Sequence, residues 1–278
     1  MKKKRKQGEE GQMSKYKLVA VDLDGTLLDD KHKITKEIAD TVAWARSKGI
    51  GFTFATGRLF PSASVYAAEL GITMPLITYN GALIKAPDAA ESIFHLPLDR
   101  ETAMDVLDAT TDWPGRRFVF VDDVAYTDLE DDVTREYSKA LRVEFRKLAE
   151  LDRAGIGGPS MITFRDDPPK IEKLTAFLRN LFQDKIYLVN SRPFFLDISH
   201  RTVSKGRALA ELCAYLGIEP EQVIAIGDEG NDLEMLEFAG LGAAVANATD
   251  DLKAKADYVA RGSHYHGVIE VMQKFLSE

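Results

Sequence analysis

The sequence predicts an α/β fold in which both ends of the chain build one doubly wound, mostly parallel sheet, with an α+β domain inserted between them. Three observations predict it. Short apolar runs alternate with helical patterns at both ends, the signature of strand–helix–strand crossovers. That alternation is interrupted over roughly residues 86–196, where strand patterns outnumber helical ones. Two of the apolar runs, 18–21 and 223–226, also close on carboxylates and a turn, which places charge at a strand's carboxyl end, where open parallel sheets bind ligands. The expected division is a core of residues 15–85 and 197–278 with residues 86–196 inserted.

The elements follow in order. After the first strand, Ile34, Ile38, Val42 and Ala45 recur at helical spacing, with Thr35 to start the helix and Gly49 to stop it. A strand at 50–55 ends in Thr56-Gly57-Arg58, a helix over 61–70 stops at Gly71, and a strand at 75–78 ends in Tyr79-Asn80-Gly81. The inserted part shows strands at 93–96, 118–121, 161–164, 186–189 and 194–198, with helices over 101–110 and 170–182. Its loops are marked by the glycine-rich 155–159 and by Asp166-Asp-Pro-Pro169, a helix start. Helix 205–216, strand 223–226, helix 232–239, strand 242–246, a short helix near 250–256, strand 258–260 and helix 268–275 complete the core.

Composition narrows the function. With 278 residues and 45% hydrophobic content the chain can bury a large core. No stretch approaches the ~20 apolar residues of a membrane span, which excludes a transport ATPase, and the first residues lack a secretory block, so a cytoplasmic location without membrane association is expected. A net charge of −8 argues against nucleic acid as a partner. The exception is the basic run Lys2 to Lys6; with no apolar anchor, residues 1–14 are expected to be a disordered tail or an extension upstream of Met13. The single Cys213 falls within the pattern Leu209, Leu212, Leu216 and is expected in the core.

The chemistry gathers at four segments: Asp22-Leu-Asp24-Gly25-Thr26, Thr56-Gly57, Ser204-Lys205-Gly206 and Asp228 to Asp232. Carboxylates brought together raise one another's pKa, so a site that keeps them ionised needs a cation. An oxygen-only donor set with no Cys/His cluster points to Mg2+. Thr56-Gly57 offers a hydroxyl and backbone amides to phosphoryl oxygens, and a lysine at a helix start adds a point charge there.

These four segments, in this order, resemble the motifs of the haloacid dehalogenase superfamily of phosphatases, specifically its Cof-type sugar-phosphatase-like branch with a large inserted cap; Tyr79-Asn80-Gly81-Ala82 and the stretch from Gly240 to Ala248 fit the same branch. The likeness covers nearly all of residues 16–278 and implies a Rossmann-like core. It implies Asp22 as the nucleophile that forms an aspartyl-phosphate, Asp24 as the acid and then base, and Lys205 as a stabiliser of phosphoryl charge. It also implies a magnesium ion on an Asp22 oxygen, the Asp24 carbonyl and Asp228, with Asp232 orienting Lys205 or a metal water and Asn231 meeting a phosphoryl oxygen or a metal water. Arg58 and Asn80 would lie at the rim, near the leaving group or the cap.

The expected activity is a magnesium-dependent phosphatase acting on a small phosphorylated metabolite such as a sugar phosphate. Alternatives are a phosphomutase or phosphotransferase on the same intermediate, a receiver-like signalling domain, or a phosphate-ligand binder without turnover. Substrate and oligomeric state are left open by the sequence. His264 and His266 depart from the branch and, like His32 and His200, read as loop residues, since no third metal ligand is evident. Tyr187 and the Phe194-Phe195 pair read mainly as strand packing.

Overall fold

The computed structural model describes residues 14–129, 131–154 and 158–277. The basic run at Lys2 and the expected tail up to residue 13 lie outside the described residues, as do residues 155–157 of the glycine-rich loop.

The chain opens with β1 (Leu18–Val21), α1 (Lys36–Ser47), β2 (Gly51–Phe54), α2 (Phe60–Glu69), β3 (Leu76–Thr78), β4 (Leu83–Lys85) and β5 (Phe94–His95). It continues through α3 (Arg100–Ala109), β6 (Arg116–Val121), β7 (Val124–Thr127), α4 (Asp132–Leu141), β8 (Phe145–Lys147), β9 (Met161–Arg165), α5 (Pro168–Phe182), β10 (Ile186–Arg192) and β11 (Phe195–His200). It closes with α6 (Lys205–Leu216), β12 (Val223–Gly227), α7 (Leu233–Phe238), β13 (Leu241–Ala244), α8 (Asp250–Lys253), β14 (Tyr258–Val259) and α9 (Tyr265–Leu276).

The two ends of the chain form one parallel sheet in the order β14-β13-β12-β1-β2. β1 lies between β12 and β2 and every one of its residues is fully buried, which is why it reads as a continuous apolar run rather than an alternation. Val21 is in register with Ile226 on one side and Phe54 on the other. That register brings Asp22, Thr56 and Asp228 to the same edge of the sheet. Helix starts are set locally: Thr35 caps α1 and Ser204 caps α6, each accepting a backbone N–H from three residues on.

β3 departs from the expected parallel sheet. It runs beside β2 but forms only an isolated parallel bridge there, Ala55–Ile77 just beyond the end of β2, and then pairs antiparallel with β4, which pairs with β5. Positive φ at Tyr79, Asn80 and Gly81 reverses the chain after three residues of strand, so β4 folds straight back. The strand expected at 93–96 among the inserted strands is β5, which joins this small sheet instead.

The inserted α+β cap is a six-stranded sheet in the order β10-β11-β9-β6-β7-β8, antiparallel except for β7 with β8. β7, α4 and β8 lie outside the elements that the sequence pattern predicts. A hairpin at Asp122-Asp123, both with positive φ, turns β6 into β7 without the glycine that usually signals such a turn. Alternation divides the cap strands cleanly. Val119, Val121, Ile162, Phe164, Leu196 and Ile198 pack on one side with residues of α3 and α5 such as Val106, Leu174 and Leu178. On the other side Phe118, Phe120 and Met161 belong to the same apolar cluster as the parallel sheet.

Candidate active site

Asp22 stands one residue beyond β1, its N–H donating to the Ile226 carbonyl at 3.0 Å, and is nearly buried. Lys205, the first residue of α6, reaches it from below: its Nζ donates to Asp22 Oδ1 at 2.7 Å and to Asp232 Oδ1 at 2.6 Å. Lys205 is only 2% exposed and Asp232 is fully buried. The second oxygen of Asp232 accepts the backbone N–H groups of Asp228 and Glu229 at 2.9 and 3.0 Å. One carboxylate therefore fixes both the lysine and the loop that carries Asp228. A side chain at Gly227 would put its Cβ 2.5 Å from that of Asp232.

Asp228 is oriented in turn by Thr26, whose hydroxyl donates to Oδ1 at 2.6 Å. Gly25, with φ of +83°, passes so close that a Cβ there would meet Asp228 Oδ2 at 2.1 Å. Asp22, Asp228 and Asp232 each bring one oxygen within 4.8 Å of the others. Burial drives the Asp22 carboxyl well above its ordinary range, against the pull of Lys205 and with the push of Asp232 and Asp228. Burial and then Asp232 push Asp228 up to about 7. Burial opposes the Lys205 charge, but Asp22 and Asp232 outweigh it and raise its pKa. A buried, oxygen-only cluster with one ammonium and a surplus of carboxylates fits a hard divalent cation, which would let the carboxyls ionise.

Arg58 and His32 hold Asp24 beside this cluster. Arg58 grips it with both ends of the guanidinium, Nε to Oδ2 at 2.6 Å and Nη2 to Oδ1 at 2.7 Å. His32 Nδ1 lies 3.0 Å from Oδ1. Tyr66 braces the pair, accepting from Arg58 at 3.1 Å and donating to the His32 carbonyl at 3.1 Å. Arg58 thus meets Asp24, and His32, read as a loop residue, belongs at the site. No local pattern marks His32: Asp29 turns the loop by accepting the Lys31 and Lys33 amides, and His32 itself has positive φ.

Thr56 and Gly57 lie at the end of β2 as expected, but the Thr56 N–H is taken by the Ile77 carbonyl at 2.9 Å and its hydroxyl accepts from the Arg58 N–H at 3.1 Å. The expectation of a free amide at Thr56 is corrected accordingly. Asn80, at φ of 58°, accepts from Asn231 Nδ2 at 3.1 Å, while its own Nδ2 is buried without a hydrogen-bond partner. Asn247, which carried no assigned role, donates to the Gly25 carbonyl at 2.8 Å and accepts from the His264 N–H at 2.8 Å. It ties the last helix to the Asp24-Gly25 turn. His264 pairs with Asp30, and neither it nor His266 lines the cavity. Cys213 is buried, its thiol pushed up to about 11 by that burial.

Asp22, Asp24, Arg58, Asn80, Lys205 and Asp228 share one cavity of about 650 Å³ between the parallel sheet and the cap. Its far wall is formed by Phe120, Tyr137, Met161, Tyr187 and Phe195. Tyr187 and Phe195 are therefore cavity residues rather than internal strand packing, and Phe194 is exposed.

Comparison with known proteins agrees with this geometry. The haloacid dehalogenase-like hydrolase family profile matches residues 19–272. The phosphatase YwpJ of Bacillus subtilis is 31% identical, over 94% of this chain and 100% of that protein. The Bacillus subtilis protein YitU, a 5-amino-6-(5-phospho-D-ribitylamino)uracil phosphatase, is 27% identical over 94% of this chain and 97% of its own. The crystal structure of a haloacid dehalogenase-like hydrolase from Bacteroides thetaiotaomicron superposes with a TM-score of 0.83 at 26% identity, covering 93% of this chain and 99% of that one. No helix among the described residues is long and apolar enough to cross a membrane.

Proposed function

The chain belongs to the haloacid dehalogenase-like hydrolases, among relatives named as phosphatases, and on that premise we propose that it is a magnesium-dependent phosphatase that hydrolyses a small phosphorylated metabolite through an aspartyl-phosphate. The observation that carries this reading is the buried Lys205 ammonium bridging Asp22 and Asp232 at the floor of a cavity. A structural ion pair gains nothing from such a place, whereas a nucleophile does.

An Asp22 oxygen attacks phosphorus, forming the O–P bond as the bond to the leaving oxygen breaks. Asp24 gives that oxygen a proton. Asp24 then takes a proton from water as the water attacks phosphorus and frees Asp22, leaving inorganic phosphate. Asp22, Asp228 and the Asp24 carbonyl would hold Mg2+, which supplies neutralising charge for the phosphoryl oxygens when bound. Lys205 adds to that charge from the protein side. The buried Nδ2 of Asn80 supplies a waiting donor, with Thr56, Gly57 and Asn231 around it. Asp232 serves as a positioning residue for Lys205.

The test is phosphate release from a panel of sugar phosphates, nucleotides, flavin mononucleotide and pyridoxal phosphate, with and without chelator, beside Asp22→Asn. Magnesium-dependent release that vanishes in Asp22→Asn is expected. Equal release by the variant sinks the nucleophile assignment, and transfer to an added sugar in place of release identifies a phosphotransferase.

A further inference from the structure

The floor of the cavity is polar and suits any phosphomonoester, so discrimination falls to its far wall. That wall is one face of the cap sheet. Phe120 faces Met161 across β6 and β9, and Phe195 faces Arg165 across β11 and β9. A sheet face turned toward an aqueous cavity is ordinarily polar. Here the cavity-facing positions are Phe120, Met161 and Phe195, joined by Tyr187 of β10 and Tyr137 of α4. The polar side chains in the middle of this face, Thr163 and Asp197, are joined to each other by a hydrogen bond of 2.7 Å.

Internal packing explains Phe120 and Met161, which are buried in the main apolar cluster. It also accounts for one side of Tyr137, which packs on Phe118 with ring centres 5.0 Å apart, but not for Tyr187 and Phe195, which belong to neither apolar cluster. All three rings are only partly buried and open on the cavity. Tyr137 and Phe195 stack on each other with centroids 6.0 Å apart and planes at 22°, and the Arg165 guanidinium lies 5.9 and 5.7 Å from the two ring centres. A preset pair of rings with a guanidinium beside it on the same sheet face offers apolar surface, the partner for another flat ring, whereas a sugar's hydroxyls need hydrogen-bonding groups along their length.

We propose that the leaving group of the preferred substrate carries a flat, unsaturated ring that seats against Phe195, Tyr137 and Tyr187, in preference to an open or cyclic polyhydroxyl sugar. This rests on the phosphatase reading and adds the class of substrate to it. Benzyl phosphate, pyridoxine 5′-phosphate and glucose 6-phosphate share the phosphomonoester, so ratios among them isolate the wall.

Two measurements test the proposal. Binding of the three compounds to the magnesium-loaded Asp22→Asn protein is measured by calorimetry, and kcat/KM is measured on the active enzyme. The ring compounds are expected to bind about tenfold or more tightly and to be turned over with a matching preference. Phe195→Leu and Tyr187→Leu, which keep apolar bulk and remove the ring, are expected to lower the ring-to-sugar ratio by about two- to tenfold each, the size of an aromatic contact. Equal or tighter glucose 6-phosphate binding, or a ratio unmoved in both leucine variants, overturns the inference while leaving a phosphatase in place. If no compound is hydrolysed, the phosphatase reading fails, and the binding ratio on Asp22→Asn upholds or overturns the ring preference on its own.

Discussion

Lys205→Met removes the ammonium from the acidic cluster and keeps an unbranched side chain in its place. In the wild type Nζ makes two charge-assisted hydrogen bonds, at 2.7 and 2.6 Å, to carboxylates that are themselves buried. Breaking a buried pair from one side costs about 3–5 kcal/mol, because the partner charges stay behind. At roughly 2–4 °C per kcal/mol, that lowers the unfolding midpoint of the metal-free protein by about 6–20 °C at pH 8. Protonation limits the damage. The Asp22 carboxyl already sits well above its ordinary range through burial, and Lys205 is the neighbour that holds it down. Without the lysine, Asp22 takes up its proton more readily, so the deficit is smaller at pH 5 than at pH 8. Turnover is expected to fall by about 10²–10³, the usual loss for one preorganised charge at a reacting group. Thermal unfolding followed by circular dichroism in chelator at both pH values, with kcat alongside, checks both parts. A midpoint within about 2 °C of wild type at pH 8, or a kcat within about tenfold, refutes the assignment of Lys205 as counter-ion to the nucleophile.

Three further outcomes follow from the same geometry. Burial and Asp232 push Asp228 up to about 7 in the metal-free fold, so its contribution to stability is full below about pH 4 and is lost as pH rises through 7, and burial shifts Asp22 in the same direction; unfolding midpoints in chelator fall from pH 5 to pH 8, saturating magnesium removes or inverts that slope, and a flat profile without metal counts against the cluster. Gly25→Ala forces a Cβ to within 2.1 Å of Asp228 Oδ2 at φ of +83°, so magnesium affinity drops by about 10–100-fold in a calorimetric titration, and an unchanged affinity would show that Asp228 is no ligand. Arg58→Lys keeps the charge but loses the two-pronged grip on Asp24, which lowers kcat by about tenfold and shifts its pH profile, short of the ~10²–10⁴ carried by a general acid itself; a variant with the wild-type profile would make Arg58 a bystander.

The core was legible because its signals are local. β1, β2 and β12 each end within a residue or two of the group they present, and Ser204 caps the helix that begins with Lys205, so position along the chain translates directly into position at the sheet edge. What joins those groups was less legible. Arg58 meets Asp24 across 34 residues, and His32 reaches it through a left-handed loop residue, neither of which leaves a periodic trace. In the cap, Phe118 and Phe120 alternate with Val119 and Val121, so β6 is apolar on both faces. One face is covered by α3 and α5; the other borders the main cluster and the cavity. An alternation pattern records that a side chain leaves water without recording what takes the place of water. Residues such as Phe195 and Tyr187, whose intended neighbour is a ligand, therefore read in sequence as packing against protein, and only the cavity distinguishes the two.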